Sequence, residues 1–67
     1  MDEKVIDALR TKYQYDMKRA VSLIDTELKN PGFNSIDSVD KYIGDFYQAK
    51  EKASYLEAIV KNLKGEE

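Results

Sequence analysis

The chain is 67 residues long, carries a net charge of −2 and contains neither cysteine nor histidine. Without them there are no disulfides or thiolate ligands, and the commonest general base is missing, so we predict no enzyme, cofactor or metal site. Eleven basic and thirteen acidic residues give a balanced surface, without the one-sided positive field typical of nucleic-acid or membrane-surface binders.

A first amphipathic helix is predicted over about residues 2–29. Its apolar side chains recur at spacings of three and four residues, which is typical of one buried helix face. This stripe consists of Ile6, Leu9, Tyr13, Met17, Ala20, Ile24 and Leu28. Its members repeat every eleven residues, a period that keeps a helix nearly straight.

The segment 30–35, Asn-Pro-Gly-Phe-Asn-Ser, predicts a turn. Proline disfavours the helical conformation in the residue before it, and Gly32 tolerates a left-handed backbone. Either Asn34 or Ser35 is expected to cap the next helix with its side chain. Phe33 is expected to fold back over the turn as an apolar plug.

A second helix is predicted over about residues 35–64, ended by Gly65. It carries an unbroken heptad stripe, as in a coiled coil: Val39, Tyr42, Phe46, Ala49, Ala53, Leu56, Val60 and Leu63. A narrow stripe of this kind indicates packing against one helical partner. Gly44 lies off the stripe, where it either allows another helix to approach closely or is a tolerated surface glycine.

The two stripes fit each other in one antiparallel register. Facing residues have position numbers that add to about 66, as for Tyr13 with Ala53 and Met17 with Ala49. Large side chains thereby oppose alanines, so the facing layers interdigitate without voids. The predicted fold class is all-α, an antiparallel two-helix hairpin that forms a single domain over residues 1–67.

Several apolar side chains remain outside this register. We take seven of them as candidate interface residues: Val21, Leu23, Ile36, Ile43, Tyr47, Tyr55 and Ile59. A helix widens its apolar face when it contacts more than one neighbour. We therefore expect an antiparallel two-fold homodimer of hairpins, a four-helix bundle, that serves as a protein-interaction module. A helical partner of another sequence and a working monomer are the alternatives.

Four cations form the densest basic patch, on the outer side of helix 1: Arg10, Lys12, Lys18 and Arg19. This patch carries the alternative function, a nucleic-acid-associated regulator whose dimer presents two such faces. Asp16 within the patch and the acidic total charge weigh against it.

No apolar run approaches the roughly 20 residues of a membrane span, and the N-terminus lacks the basic and apolar regions of a signal peptide. The expected location is cytoplasmic, with no membrane partner and no small-molecule substrate.

The stretch from Asn30 to Tyr47, NPGFNSIDSVDKYIGDFY, followed by Ala58-Ile59-Val60, resembles small uncharacterised helical proteins of phages and prophages of Gram-positive bacteria. The resemblance covers most of the chain. It implies a small accessory or regulatory protein that acts by contact, and it implies no site residues.

Overall fold

The computed structural model describes residues 3–65. Two helices, α1 (Glu3–Lys29) and α2 (Ser35–Leu63), pack against each other as a hairpin about 50 Å long and 19 Å wide. The predicted all-α class and helical hairpin are confirmed. Of the predicted helix limits, residue 2 lies outside the described residues, and α2 ends at Leu63 rather than at residue 64.

The charged residues at the two ends of helix α1 interact favourably with the helix dipole. Glu3 lies in its first turn, near the positive end, and Lys29 lies in its last turn, near the negative end. The backbone N–H of Asn30 still donates to the carbonyl of Thr26 at 3.1 Å. Pro31 follows and has no N–H to continue the hydrogen-bond ladder, so the helix stops there.

The turn is closed by Ser35 rather than by a side-chain cap. Asn34 occupies the cap position of α2, but its side chain makes no capping hydrogen bond. Instead, the Ser35 hydroxyl accepts the backbone N–H of Gly32 at 2.6 Å and donates to Oε2 of Glu27 at 2.8 Å. The cap predicted at Asn34 or Ser35 is therefore wrong, because this hydroxyl binds the turn and α1.

Phe33 does not plug the turn. Its side chain is fully exposed, at 103%, so the predicted apolar plug is wrong. The neighbouring turn residues 30–32 and 34 are exposed as well, so the turn offers the ring no buried surface to cover.

Helix α2 ends where its sequence predicts a glycine terminus. Gly65 has a φ of +76°, a left-handed conformation that costs little only for glycine. Its backbone N–H donates to the carbonyl of Asn62 at 3.1 Å, and the Lys64 N–H donates to the carbonyl of Val60 at 3.0 Å. These two bonds satisfy carbonyls that the helix end would otherwise leave without a partner.

The core is thin and lies between the two helices. Its apolar cluster is at the open end of the hairpin, where Ile6, Leu56 and Val60 are buried and Leu9 and Tyr13 pack around them. Towards the turn, the buried residues are small: Ala20 and Ala49, which are 2% and 4% exposed. The two predicted stripes therefore do meet, but Leu28 and Leu63 at their ends are about two-thirds exposed.

Candidate interaction surface

One broad side of the hairpin, which we call the front face, is apolar next to the turn. Two shallow grooves run along it between the helices. The first is lined by Leu28, Ser35, Ile36, Val39, Asp40 and Ile43, and the second by Met17, Lys18, Val21, Ser22 and Phe46. Val21 and Leu28 are seven residues apart on α1, as are Val39 and Phe46 on α2, so the two grooves follow the same side.

The apolar side chains that border these grooves are open to solvent. Ile36 is 87% exposed, Leu28 is 67% exposed, and Val21 and Ile43 are each 53% exposed. Isolated exposed apolar residues are ordinary on a protein surface, but these four border adjoining grooves on one side. A contiguous patch of this kind is typical of an interaction surface.

The opposite side, the back face, is polar along the middle of the hairpin. Its groove is lined by Asp16, Arg19, Ala20, Leu23, Asp45, Gln48, Ala49 and Lys52. Ala20 and Ala49 form the buried floor, and charged or amide side chains line much of the rim. The rim offers little apolar surface for a partner.

The structure divides the seven candidate interface residues between the two faces. Val21, Ile36 and Ile43 border the front grooves, and Tyr47 follows Ile43 by one helical turn. The other three belong to the back. Leu23 lines the back groove and is only partly exposed, while Tyr55 and Ile59 each follow a residue of that groove by seven positions. The seven do not form one surface.

Towards the open end, the front face carries an ion pair between the helices. Nε of Arg10 lies 2.8 Å from Oε2 of Glu57, and Nη2 lies 2.9 Å from Oε1. Arg10 also contacts Oδ1 of Asp7 at 3.0 Å. The hydrogen bonds from Arg10 hold the pKa of Glu57 below its usual value, and those to Glu57 raise the pKa of Arg10.

Sequence reasoning did not find this pair, although the register contains it. The positions of Arg10 and Glu57 add to 67, close to the sum of about 66 that relates the facing apolar residues. Applying the register to charged as well as apolar residues places this arginine opposite this glutamate.

The predicted basic patch is broken up by the fold. Arg10 is paired with Glu57, and Nζ of Lys12 lies 3.0 Å from Oδ2 of Asp16. Lys18 borders a front groove, whereas Arg19 lines the back groove. Because two of its cations are neutralised and the other two border opposite faces, the patch is not one continuous basic surface for nucleic acid.

Over the described residues, neither helix is both long enough and apolar enough to cross a membrane. No model of a known protein family matches the sequence, and neither does any curated protein or solved structure. The surface of the hairpin is therefore the feature from which a function can be inferred.

Proposed function

We propose that this chain is a small, non-enzymatic interaction module that works as a homodimer, two hairpins forming a four-helix bundle. The observation that carries the proposal is the exposed apolar half of the front face. Leu28, Ile36 and Ile43 line one of its two grooves, and no residue between 3 and 65 covers them. Burying such a surface against another helical layer removes apolar area from water, which is the main favourable term in association.

The amount of exposed surface supports the same conclusion. The hairpin exposes 5544 Å², whereas a compact monomer of 7.7 kDa is expected to expose about 4,300 Å². The excess of about 1,200 Å² is larger than the roughly 800 Å² that each partner buries in a standard protein interface. Two helices bury only the surface between them, so their remaining lateral surface is available to a further layer of helices.

Sedimentation equilibrium tests this proposal directly. Over protein concentrations from about 1 to 100 µM, the apparent mass should rise from that of a 7.7 kDa chain to twice that value. The midpoint of thermal unfolding should rise with concentration over the same range, because dimerisation stabilises the folded state by mass action. A mass that stays at one chain, with cooperative unfolding independent of concentration, contradicts the homodimer.

We further propose a cytoplasmic accessory or regulatory role, with a phage or prophage origin. The support is the resemblance of the segment from Asn30 to Tyr47 and of Ala58-Ile59-Val60 to small phage-borne helical proteins. The genomic position of the coding sequence tests the origin. It should lie among phage genes in a Gram-positive chromosome or phage genome, and a position among unrelated housekeeping genes contradicts it.

A further inference from the structure

The front face has two halves of different chemistry along its length. On α2, one line of residues follows this face at seven-residue spacing: Ile36, Ile43, Lys50, Glu57 and Lys64. It is apolar near the turn and charged near the open end. Helix α1 repeats the division, with Leu28 and Val21 near the turn and Arg10 and Glu3 near the open end.

At each height along the hairpin, the front-face residues of the two helices match: apolar residues face apolar residues near the turn, and charged residues face charged residues near the open end. Near the turn, Leu28 is level with Ile36 and Val21 with Ile43, since both pairs of positions add to 64. Near the open end, Arg10 is level with Glu57 and contacts it. Seven residues further out, Glu3 and Lys64 are again level and opposite in charge, and Lys64 contributes to lowering the pKa of Glu57.

We propose that a second copy of this chain covers the front face with its turn at the same end, so that the two-fold axis runs along the hairpin. This inference rests on the proposed homodimer and specifies its face and direction. The axis places α1 of each copy over α2 of the other. Leu28 and Val21 then pack on Ile36 and Ile43 of the second copy, and Arg10 lies over Glu57 of the second copy.

Charge and area together favour this direction over the antiparallel dimer that the sequence analysis expected. With the turns at opposite ends and full overlap, the apolar half of each front face lies on the charged half of the other. With that axis α2 lies over α2, so Glu57 and Lys64 lose water against Ile43 and Ile36 of the second copy without gaining opposite charges, which is costly. Aligned turns lower this cost, because the apolar halves meet each other and, near the open end, Arg10 and Glu3 lie level with Glu57 and Lys64 of the second copy.

A slipped antiparallel dimer, in which only the turn halves overlap, is too small. The Cα atoms of the hairpin span 50 Å by 19 Å, so full overlap covers a projected area of about 950 Å² per copy, on the scale of the roughly 800 Å² of a standard interface. Overlap of the turn halves alone covers about half of that area, well below the standard size.

A matched pair of variants tests the face. Ile43 and Ile59 are both isoleucines of α2 and are both 53% exposed, but Ile43 borders the front grooves and Ile59 lies towards the back. We expect Ile43→Glu to raise the dimer dissociation constant at least about tenfold and Ile59→Glu to leave it within about twofold. Far-ultraviolet circular dichroism checks that both variants stay helical. Loss of the dimer in Ile59→Glu but not in Ile43→Glu overturns the proposed face.

Spin labels test the direction, because the chain has no native cysteine. A nitroxide on Asn34→Cys, at the turn, should lie within about 25 Å of its copy, roughly two helix diameters. A label on Asn62→Cys, near the open end, should also lie close to its copy. Fully overlapped antiparallel hairpins instead separate each pair by about the hairpin length of 50 Å, and a slipped antiparallel dimer separates the Asn62→Cys pair further still.

The outcomes separate the two proposals. Long distances in both labelled proteins, with a dimer in sedimentation, overturn the direction and leave the homodimer standing. No dipolar coupling, with a monomer in sedimentation, overturns the homodimer itself and leaves the two alternatives, a partner of another sequence and a working monomer.

Discussion

Arg10 and Glu57, 47 positions apart in the chain, form a two-pronged ion pair that joins α1 to α2 near the open end of the hairpin. The planar guanidinium matches the carboxylate, with both contacts below 3 Å. Ile6, Leu56 and Val60 are buried at the same end. The turn joins the helices covalently at one end, while apolar packing and this ion pair hold them together at the other.

The first prediction concerns the pH dependence of stability through Glu57. Its pKa is lowered in the folded state, mainly by hydrogen bonds from Arg10. A lowered carboxyl pKa stabilises the fold above the unfolded value of about 4.5, and this contribution is lost as the pH falls through the folded-state pKa. Glu57→Gln should therefore be less stable than the wild type at pH 7, and the difference should shrink below about pH 4.5.

Urea unfolding followed by circular dichroism, at fixed protein concentration and at several pH values between about 3 and 7, measures this difference. Glu51→Gln is the matched control, since Glu51 lies on the same helix and no ion pair to it is found in the described part of the chain. A stability difference between the wild type and Glu57→Gln that does not change with pH contradicts the role of the ion pair.

Much of this fold follows from the spacing of apolar residues. Two stripes with one constant sum of positions are enough to predict the hairpin and its register, because facing side chains in antiparallel helices advance in opposite directions at equal rise. The same sum relates Arg10 to Glu57. The pair cannot be recognised from the basic residues of α1 alone, because the anion that neutralises Arg10 belongs to α2.

The candidate interaction surface was harder to predict, because a stripe shows which side of a helix faces the other helix but does not tell its two flanks apart. Val21 and Leu23 are two positions apart, which on a helix means about 200° of rotation, and they border opposite faces of the hairpin. The turn itself was predicted, but the capping hydrogen bond was predicted wrongly for a local reason. The Ser35 hydroxyl can cap α2 or bind Gly32 and Glu27, and one sequence does not decide between these hydrogen bonds.

The second prediction tests the close packing of the helices at Ala20. This alanine is 2% exposed, so Ala20→Asp takes a carboxylate out of water and enlarges the side chain where α1 packs against α2. The free energy of unfolding should fall by about 3 kcal/mol. Ala8→Asp is the control, because Ala8 is an exposed alanine of the same helix, and it should change stability by less than about 0.5 kcal/mol. Equal effects of the two substitutions mean that the helices do not pack at Ala20.

The third prediction concerns the hydroxyl that closes the turn. Ser35→Ala removes both the acceptor for the Gly32 N–H and the donor to Glu27. The expected loss is about 1 kcal/mol in the free energy of unfolding, the usual contribution of a hydrogen bond at a partly exposed site. Ser54→Ala, at an exposed position of α2, is the control and should be neutral or slightly stabilising, since alanine is the better helix former. Equal stability of Ser35→Ala and the wild type contradicts the proposed closure.

The fourth prediction separates the two interpretations of Gly44. A Cβ atom at this position meets nothing within 4 Å in the hairpin, so Gly44→Ala should raise the free energy of unfolding by about 1 kcal/mol through helix propensity alone. Gly65 also has open space around it, but its φ of +76° strains any other residue, so Gly65→Ala should instead destabilise by about 1 kcal/mol. Thermal unfolding compares the two variants.

The position of Gly44 connects this test to the dimer. Helical rotation turns residue 44 about 100° away from Ile43, out of the front face and towards solvent. Gly44→Ala should therefore leave the dimer dissociation constant unchanged while it stabilises the helix. A variant that folds more stably yet dimerises more weakly shows that another helix approaches closely at the glycine. In that case the second copy covers the outer side of α2 rather than the face bordered by Ile43 and Val21.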